Sequence, residues 1–176
     1  MFSLMVLLIS ILRLGPGFKD ILLIAQKTGT ESTVSPKSLD EAGKNKFMLS
    51  YINTKNTVVQ SENASYEASV NGVSHDFPYI MNYGILGGGF FSEYDEDNKV
   101  KKAVLNKQAA FDIFGSDNIE GNTLTINGGN YYICGVVQDN DKKPNVYVPY
   151  AISEGCIEKI FCSLKDETGA EFILNN

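Results

Sequence analysis

The chain has 176 residues, of which 43% are hydrophobic and 20% charged, and its formal net charge is −6. That is enough for one ordinary domain, or two small lobes, with a core that needs no metal or disulfide, and it excludes both a disordered chain and a polytopic membrane protein. The lysines sit among acids, as Lys99, Lys101 and Lys102 do after Asp95 and Asp97, so no basic stripe marks a nucleic-acid or anionic-membrane partner.

In chain order, the first element is the apolar run Met1 to Leu12, followed by Arg13 and the turn "LGPG". At about 1.5 Å per residue such a run covers roughly 18 Å, short of a hydrocarbon core of about 30 Å. It also lacks the basic start and small-residue cleavage site of a signal peptide. Two readings remain, a partial transmembrane or anchor helix over residues 1–14 that begins upstream, or the first helix of a soluble core. The first is preferred because Gly15, Pro16 and Gly17 read as a helix exit.

Phe18, Ile21, Leu22 and Ala25 then recur at helical spacing and predict an amphipathic helix ending at Gly29. "TESTVSPKSLDEAGKNK" reads as a polar connector with a short helical turn capped by Ser38. From Lys46 the pattern turns to short β-rich runs, "FMLSYI", "TVVQSE" and "SYEASVNGVS", the last placing Tyr66, Ala68 and Val70 on one face. "KVKKAVLN" predicts a strand, and "KQAAFDIFG" a helix that buries Ala109, Ala110, Ile113 and Phe114 and is capped by Gly115. "GNTLTING" and "GNYYICGVVQD" predict two strands around the turn Asn127 to Asn130, and "NVYVPYAI" a further strand whose Pro149 marks an edge or an end. The class is mixed α/β with more strand than helix. At the far end the apolar run of "EKIFCSLKDETGAEFILNN" stops abruptly, which predicts that the natural chain continues.

The chemical signals are weak. "GGGFF" is followed by "SEYDED", acids that would repel a phosphate, so a nucleotide cradle fails. "YDEDN" and "DNDKK" lack the alternation, central glycine and terminal glutamate of a calcium loop and read as solvated turns. Cys134, Cys156 and Cys162 match no zinc spacing and read as buried small hydrophobes; a Cys156–Cys162 bridge is the alternative in an oxidising compartment. His75 is the single histidine, and no "GxSxG" elbow surrounds any serine. It therefore reads as a surface or packing residue. The rival, a small secreted hydrolase built on His75, predicts an activity abolished by His75→Ala. No catalytic residue, cofactor or metal ligand is assigned.

Taken together, "NGVSHDFPYIMNYGILGGGFFSEYD", "KAVLNKQAAFDIFG", "IEGNTLTINGGNYYICGVVQD" and "VYVP" resemble the MacB-like periplasmic core domain of MacB/FtsX-type ABC transporter permeases over about Tyr66 to Pro149. The family's "GVS" strand corresponds to Gly72 to Ser74, its "GRxF" turn to Gly88 through Phe90 and Phe91, and its "VAVLN" strand to Ala103 through Leu105 and Asn106. The helix ending in "LFG" corresponds to Phe114 and Gly115, the glycine turn into "I.I.G" to Gly121 through Gly128, and "VVGV" to Cys134 through Gly135, Val136 and Val137. The arginine that usually follows the turn glycine is Gly89 here, so a salt bridge built on it is not carried over.

The resemblance implies a two-lobed α+β domain after a partial transmembrane helix. A porter-like βαβ lobe would occupy about 28–82 plus 144–176, and a smaller mixed lobe about 83–141, within an extracytoplasmic domain over 15–176. It also implies a non-enzymatic part of a bacterial permease at the cell membrane, coupling ATP-driven motion to export or to extracytoplasmic partners by mechanotransmission. The partners implied are an ABC ATPase subunit, a second permease copy and the membrane, with no nucleic acid and no cofactor. No Walker motif is present in the chain. The alternative is a stand-alone membrane-anchored ligand-binding or sensing module.

Overall fold

The computed structural model describes residues 8–12, 21–25, 48–62 and 64–163. Its strands are β1 Leu8–Leu12, β2 Ile21–Ala25, β3 Met48–Gln60, β4 Ser65–Val73, β5 Gly84–Gly88, β6 Lys102–Asn106, β7 Thr123–Ile126, β8 Gly129–Gln138, β9 Asn145–Pro149 and β10 Lys159–Ser163. The helices are α1 Phe77–Ile80, α2 Glu93–Asp97 and α3 Lys107–Phe114, with a 3₁₀ turn at Tyr150–Ile152.

Hydrogen bonding joins the strands in the order β1-β2-β10-β3-β4-β9-β6-β8-β5, with β7 paired to both β3 and β8. β4–β9 and β6–β8 are parallel pairs and the rest are antiparallel. Because Val59 pairs with Ile126 and Gln60 with Thr125, the path β3-β4-β9-β6-β8-β7 returns to β3 and closes a ring. Closure leaves these strands with fewer free edges, the usual hazard of a β-rich domain.

Alternate residues of the ring's strands face two cores. Leu105, Val136, Val146 and Val148 join Val59, Leu124, Ile133 and the α3 residues Ala109, Ala110 and Ile113 in one cluster. Val104, Val137 and Tyr147 join Val73, Phe77 and Phe91 in the other. Burial on both sides is why Ala103 to Leu105 of β6, Gly135 to Val137 of β8 and Val146 to Val148 of β9 read as apolar runs, whereas the first half of β8 alternates and exposes Tyr132. The β7–β8 hairpin turns at Asn127 and Gly128, with φ of 48° and 77°, the positive pair that a two-residue hairpin requires.

Several expectations are corrected. Leu8–Leu12 and Ile21–Ala25, expected as helix, are strands, with β2 paired to both β1 and β10. A short apolar run such as "ILLIA" satisfies helix and strand templates alike, and a neighbouring strand decides between them. The runs expected as two separate strands merge, Met48 to Ile52 and Thr57 to Gln60 belonging to one thirteen-residue strand. "EYDED" is helix α2 rather than a wet loop; Pro149 does end its strand, the second of the two readings, and that strand lies between β4 and β6. The connector turn capped by Ser38 lies outside the described residues, as do the rest of the expected anchor helix and the chain after Ser163. Among the described residues no helix is long and apolar enough to cross a membrane.

Candidate functional site

Two buried polar clusters stand out, and each ties a loop or short helix to the closed ring. The first centres on Asp139, just after β8, whose exposure is 4% although "DNDKK" reads as solvated. Its carboxylate accepts from Asn106 Nδ2 at 3.0 Å to each oxygen, from Asn145 Nδ2 at 3.1 Å, from the Tyr147 hydroxyl at 2.8 Å and from the Asp141 amide at 3.2 Å. A buried carboxylate is tolerated only when donors satisfy it in this way.

Asn106 is fully buried and serves several elements at once. Its Oδ1 accepts from the Ala109 amide at 2.9 Å, capping α3, and from the Asn145 amide at 3.0 Å, while its Nδ2 also donates to the Lys143 carbonyl at 2.8 Å. One side chain at the end of β6 thus holds the start of α3, the 139–145 loop and the start of β9. Burial, ahead of the neighbouring Tyr83 and Asp139, raises the Tyr147 phenol above its ordinary value, so it stays protonated and donates.

The second cluster spans the β4–α1 corner and α2. Helix α2 starts at Ser92, whose hydroxyl accepts from the Asp95 amide while Asp95 accepts from the Ser92 amide at 2.8 Å, a reciprocal cap. Lys102 of β6 meets Asp95 at 2.9 Å. Burial pushes the Asp95 carboxyl up, but the Ser92 and Lys102 hydrogen bonds outweigh it and leave it below its ordinary value. Glu96, on the inner side of α2, accepts from the Tyr51 hydroxyl at 3.1 Å, the His75 amide at 3.0 Å and His75 Nδ1 at 3.1 Å.

His75 is thus a half-buried partner of Glu96, with its Nε2 3.6 Å from Asp76. Ser74, its sequence neighbour, points elsewhere and donates to Ser50 Oγ at 2.6 Å. No serine–histidine pair is therefore assembled at this corner. Among the described residues no cluster of histidine, cysteine, aspartate or glutamate could hold a metal. Cys134 is part-buried, and burial pushes its thiol up to about 11; Cys156, expected to be buried, is free and exposed because it lies in the chain stretch leading to β10. The Cys162 side chain lies outside the description.

The motif residues do not converge on one point. Gly88 ends β5 with φ of 60°, and the Gly89 amide donates to the Cys134 carbonyl at 2.9 Å. A Cβ on Gly135 would collide with the Gly89 backbone across the same crossing, so the two strands approach this closely only with glycine there. Phe91 is buried and Phe90 packs beside it, ring centroids 4.4 Å apart. Leu105 and Val136 lie in the ring's core, Phe114 packs against it, and Gly115 caps α3 in the left-handed region. Gly72 sits in β4 beside Asn53 and Ser153, while Gly121 and Gly128 occupy turns before and after β7. Asp139, Asn145, Tyr147 and Glu96 were missed in the sequence; the one available signal was that Asp139 directly follows the apolar run "ICGVVQ".

The fold and its clusters define a class of protein: a sheet-dominated α+β domain whose buried polar groups serve to fasten elements together. The family model described as MacB-like periplasmic core domain matches residues 11–171, and the chain belongs to that family. The pyoverdine export ATP-binding/permease protein PvdT of Pseudomonas aeruginosa is 31% identical over 107 residues, 57% of this chain and 16% of the relative. The macrolide export ATP-binding/permease protein MacB of Marinobacter nauticus is 28% identical over 104 residues, 55% of this chain and again 16% of the relative. The chain therefore spans about a sixth of the length of these curated relatives.

In structure it is similar to the periplasmic region of MacB from Actinobacillus actinomycetemcomitans, with a TM-score of 0.68 and 23% identity over 78% of this chain and 68% of that one. It is also similar to the extracellular domain of the ABC-type transporter YknZ from Gram-positive bacteria, with a TM-score of 0.67 and 12% identity over 78% of this chain and 76% of that one. At these identities the likeness establishes the fold.

Proposed function

We propose that the chain is the extracytoplasmic domain of an ABC transporter permease at a bacterial cell membrane, and that it transmits motion rather than catalysing a reaction. The observation that carries this reading is the placing of β2 beside β10: strands from the two ends of the domain lie together on one side of the sheet, where they can lead into membrane segments. The rest of the sheet then forms a continuous hydrogen-bonded body reaching out to β5. In the proposed division into a lobe of about 28–82 plus 144–176 and a lobe of about 83–141, β3, β4 and β10 of the first would lie toward the membrane, and β9 would join the two by pairing with both β4 and β6. The motif residues Gly72, Gly88, Phe90, Phe91, Leu105, Asn106, Phe114, Gly115, Gly121, Gly128, Gly135 and Val136 act as scaffold that keeps this body stiff.

ATP binding belongs to a cytoplasmic ATPase subunit or domain, and a second permease copy completes the transporter. The test is made in the full reading frame, coexpressed with its ATPase. Deletion of residues 84–141 is expected to abolish export or signalling while basal ATP hydrolysis persists, and topology mapping is expected to place this domain outside the cytoplasm. A cytoplasmic location, or export unchanged by the deletion, overturns the reading. A second reading, a membrane-anchored binding module, is favoured by one feature, a cleft of about 340 Å³ lined by Asn53, Lys55, Lys101, Tyr131 and Glu154. It predicts a small ligand that protects this cleft from exchange in the absence of any ATPase.

A further inference from the structure

We propose that His75 and Glu96 form a pH-dependent latch between helix α2 and the β4–α1 corner, tightened at mildly acidic pH and loosened at alkaline pH. The geometry is that of a clasp. Glu96 comes from α2, between β5 and β6, whereas His75 comes from the end of β4, and the two are joined by the His75 amide at 3.0 Å and Nδ1 at 3.1 Å. Tyr51 of β3 holds the other oxygen of Glu96 at 3.1 Å, which fixes the carboxylate for the imidazole.

The charged groups facing the ring are all acidic. Glu96 and Glu93 come from α2, and Asp76 lies 3.6 Å from Nε2 at the start of α1. Tyr79 and Tyr83 line the groove alongside, and Lys102 of β6 is engaged by Asp95 of α2. Protonation of the ring therefore places a cation among carboxylates, at a site where the chain holds its single histidine.

The hydrogen bond to Glu96, opposed by burial and assisted by Asp76 and Glu93, raises the His75 pKa above 6.5. A raised folded value gives stabilisation that is fully present below the unfolded value of about 6.5 and is lost as pH rises through the folded one. The His75 amide keeps its bond to Glu96 in either state, so the latch weakens at alkaline pH without coming apart. This inference concerns the domain's own energetics and does not depend on the transport reading.

The test uses NMR titration of the single histidine in the 176-residue chain, together with amide exchange of residues 93–98 at pH 6 and pH 8 corrected for intrinsic rates. The wild type is expected to titrate above 6.5 and to lose several-fold in protection of α2 between the two pH values. Glu96→Gln is expected to move the titration down, because the hydrogen bond that raises it is weakened and its charge removed. His75→Asn keeps a donor near the position of Nδ1 without a titrating ring, and its protection is expected to be flat with pH. A wild-type histidine titrating at or below 6.5, or α2 protection equally pH-dependent in wild type and His75→Asn, overturns the proposal. Should Glu96→Gln fail to fold, the comparison between wild type and His75→Asn decides alone.

Discussion

The Asp139 side chain is 4% exposed, and the hydrogen bonds its carboxyl group accepts come from neutral donors: two asparagines, a phenol and an amide. Such a group is expensive to disturb, because truncation strands its partners without replacing the solvent they gave up. Asp139→Ala is therefore expected to destabilise the chain by about 2–4 kcal/mol, read from the urea midpoint at unchanged slope. Tyr147→Phe, which removes one donor and leaves the ring's packing, is expected to cost about 1 kcal/mol. Gly135 is sensitive for a different reason: any side chain there meets the Gly89 backbone, so Gly135→Ala is expected to cost about 1–3 kcal/mol through forced separation of β5 and β8. Sequence reading recognised Gly135 through its motif yet took Asp139 for a solvated residue. Nothing in "DNDKK" records that Asn106, far away in the chain, turns its amide toward it.

At the scale of elements, α2 and α3 are both set by the capping residue that precedes them, Ser92 and Asn106. α3 is legible beforehand, since a helical period over "KQAAFDIF" is followed by Gly115, and the structure has the buried alanines and the left-handed terminus in those places, with the Asn106 cap added by the fold. Asn106→Ala removes the cap together with the bonds to the 139–145 loop, so its cost is expected to exceed the roughly 0.5–2 kcal/mol of a cap alone, and a double-mutant cycle with Asp139→Ala should show strong coupling. α2 is harder to read. Five residues rich in acid look like loop, and only the reciprocal bonds of Ser92 and Asp95 and the Lys102 ion pair make them a helix. Because the folded Asp95 pKa is lowered, its stabilisation is present above about 3.8 and is lost as pH falls through the folded value. Lys102→Met is expected to move that acid loss to higher pH, as measured by denaturation midpoints between pH 5 and pH 2.

For the whole molecule, the closing contact is small: β7 meets β3 through Val59 with Ile126 and Gln60 with Thr125. Val59 is fully buried at that seam, and Val59→Ala is expected to cost about 1–3 kcal/mol and to leave a single transition whose far-UV and near-UV signals coincide. Parallel pairing of β4 with β9 and of β6 with β8 joins segments distant in the chain, so refolding is expected in milliseconds to seconds rather than microseconds.

From its amino acids alone, this chain declared its class, its central strands, helix α3, a hairpin turning somewhere in Asn127 to Asn130, and its family resemblance. All of these rest on local period, turn chemistry or motif spacing, which neighbouring residues carry within themselves. Tertiary structure decided that the apolar segments Leu8–Leu12 and Ile21–Ala25 would be strands, that β9 would lie inside the sheet, and that Asp139 and Glu96 would be buried. Those outcomes depend on which distant backbone or donor arrives alongside, and a partner's position is a property of the folded chain that no local pattern encodes.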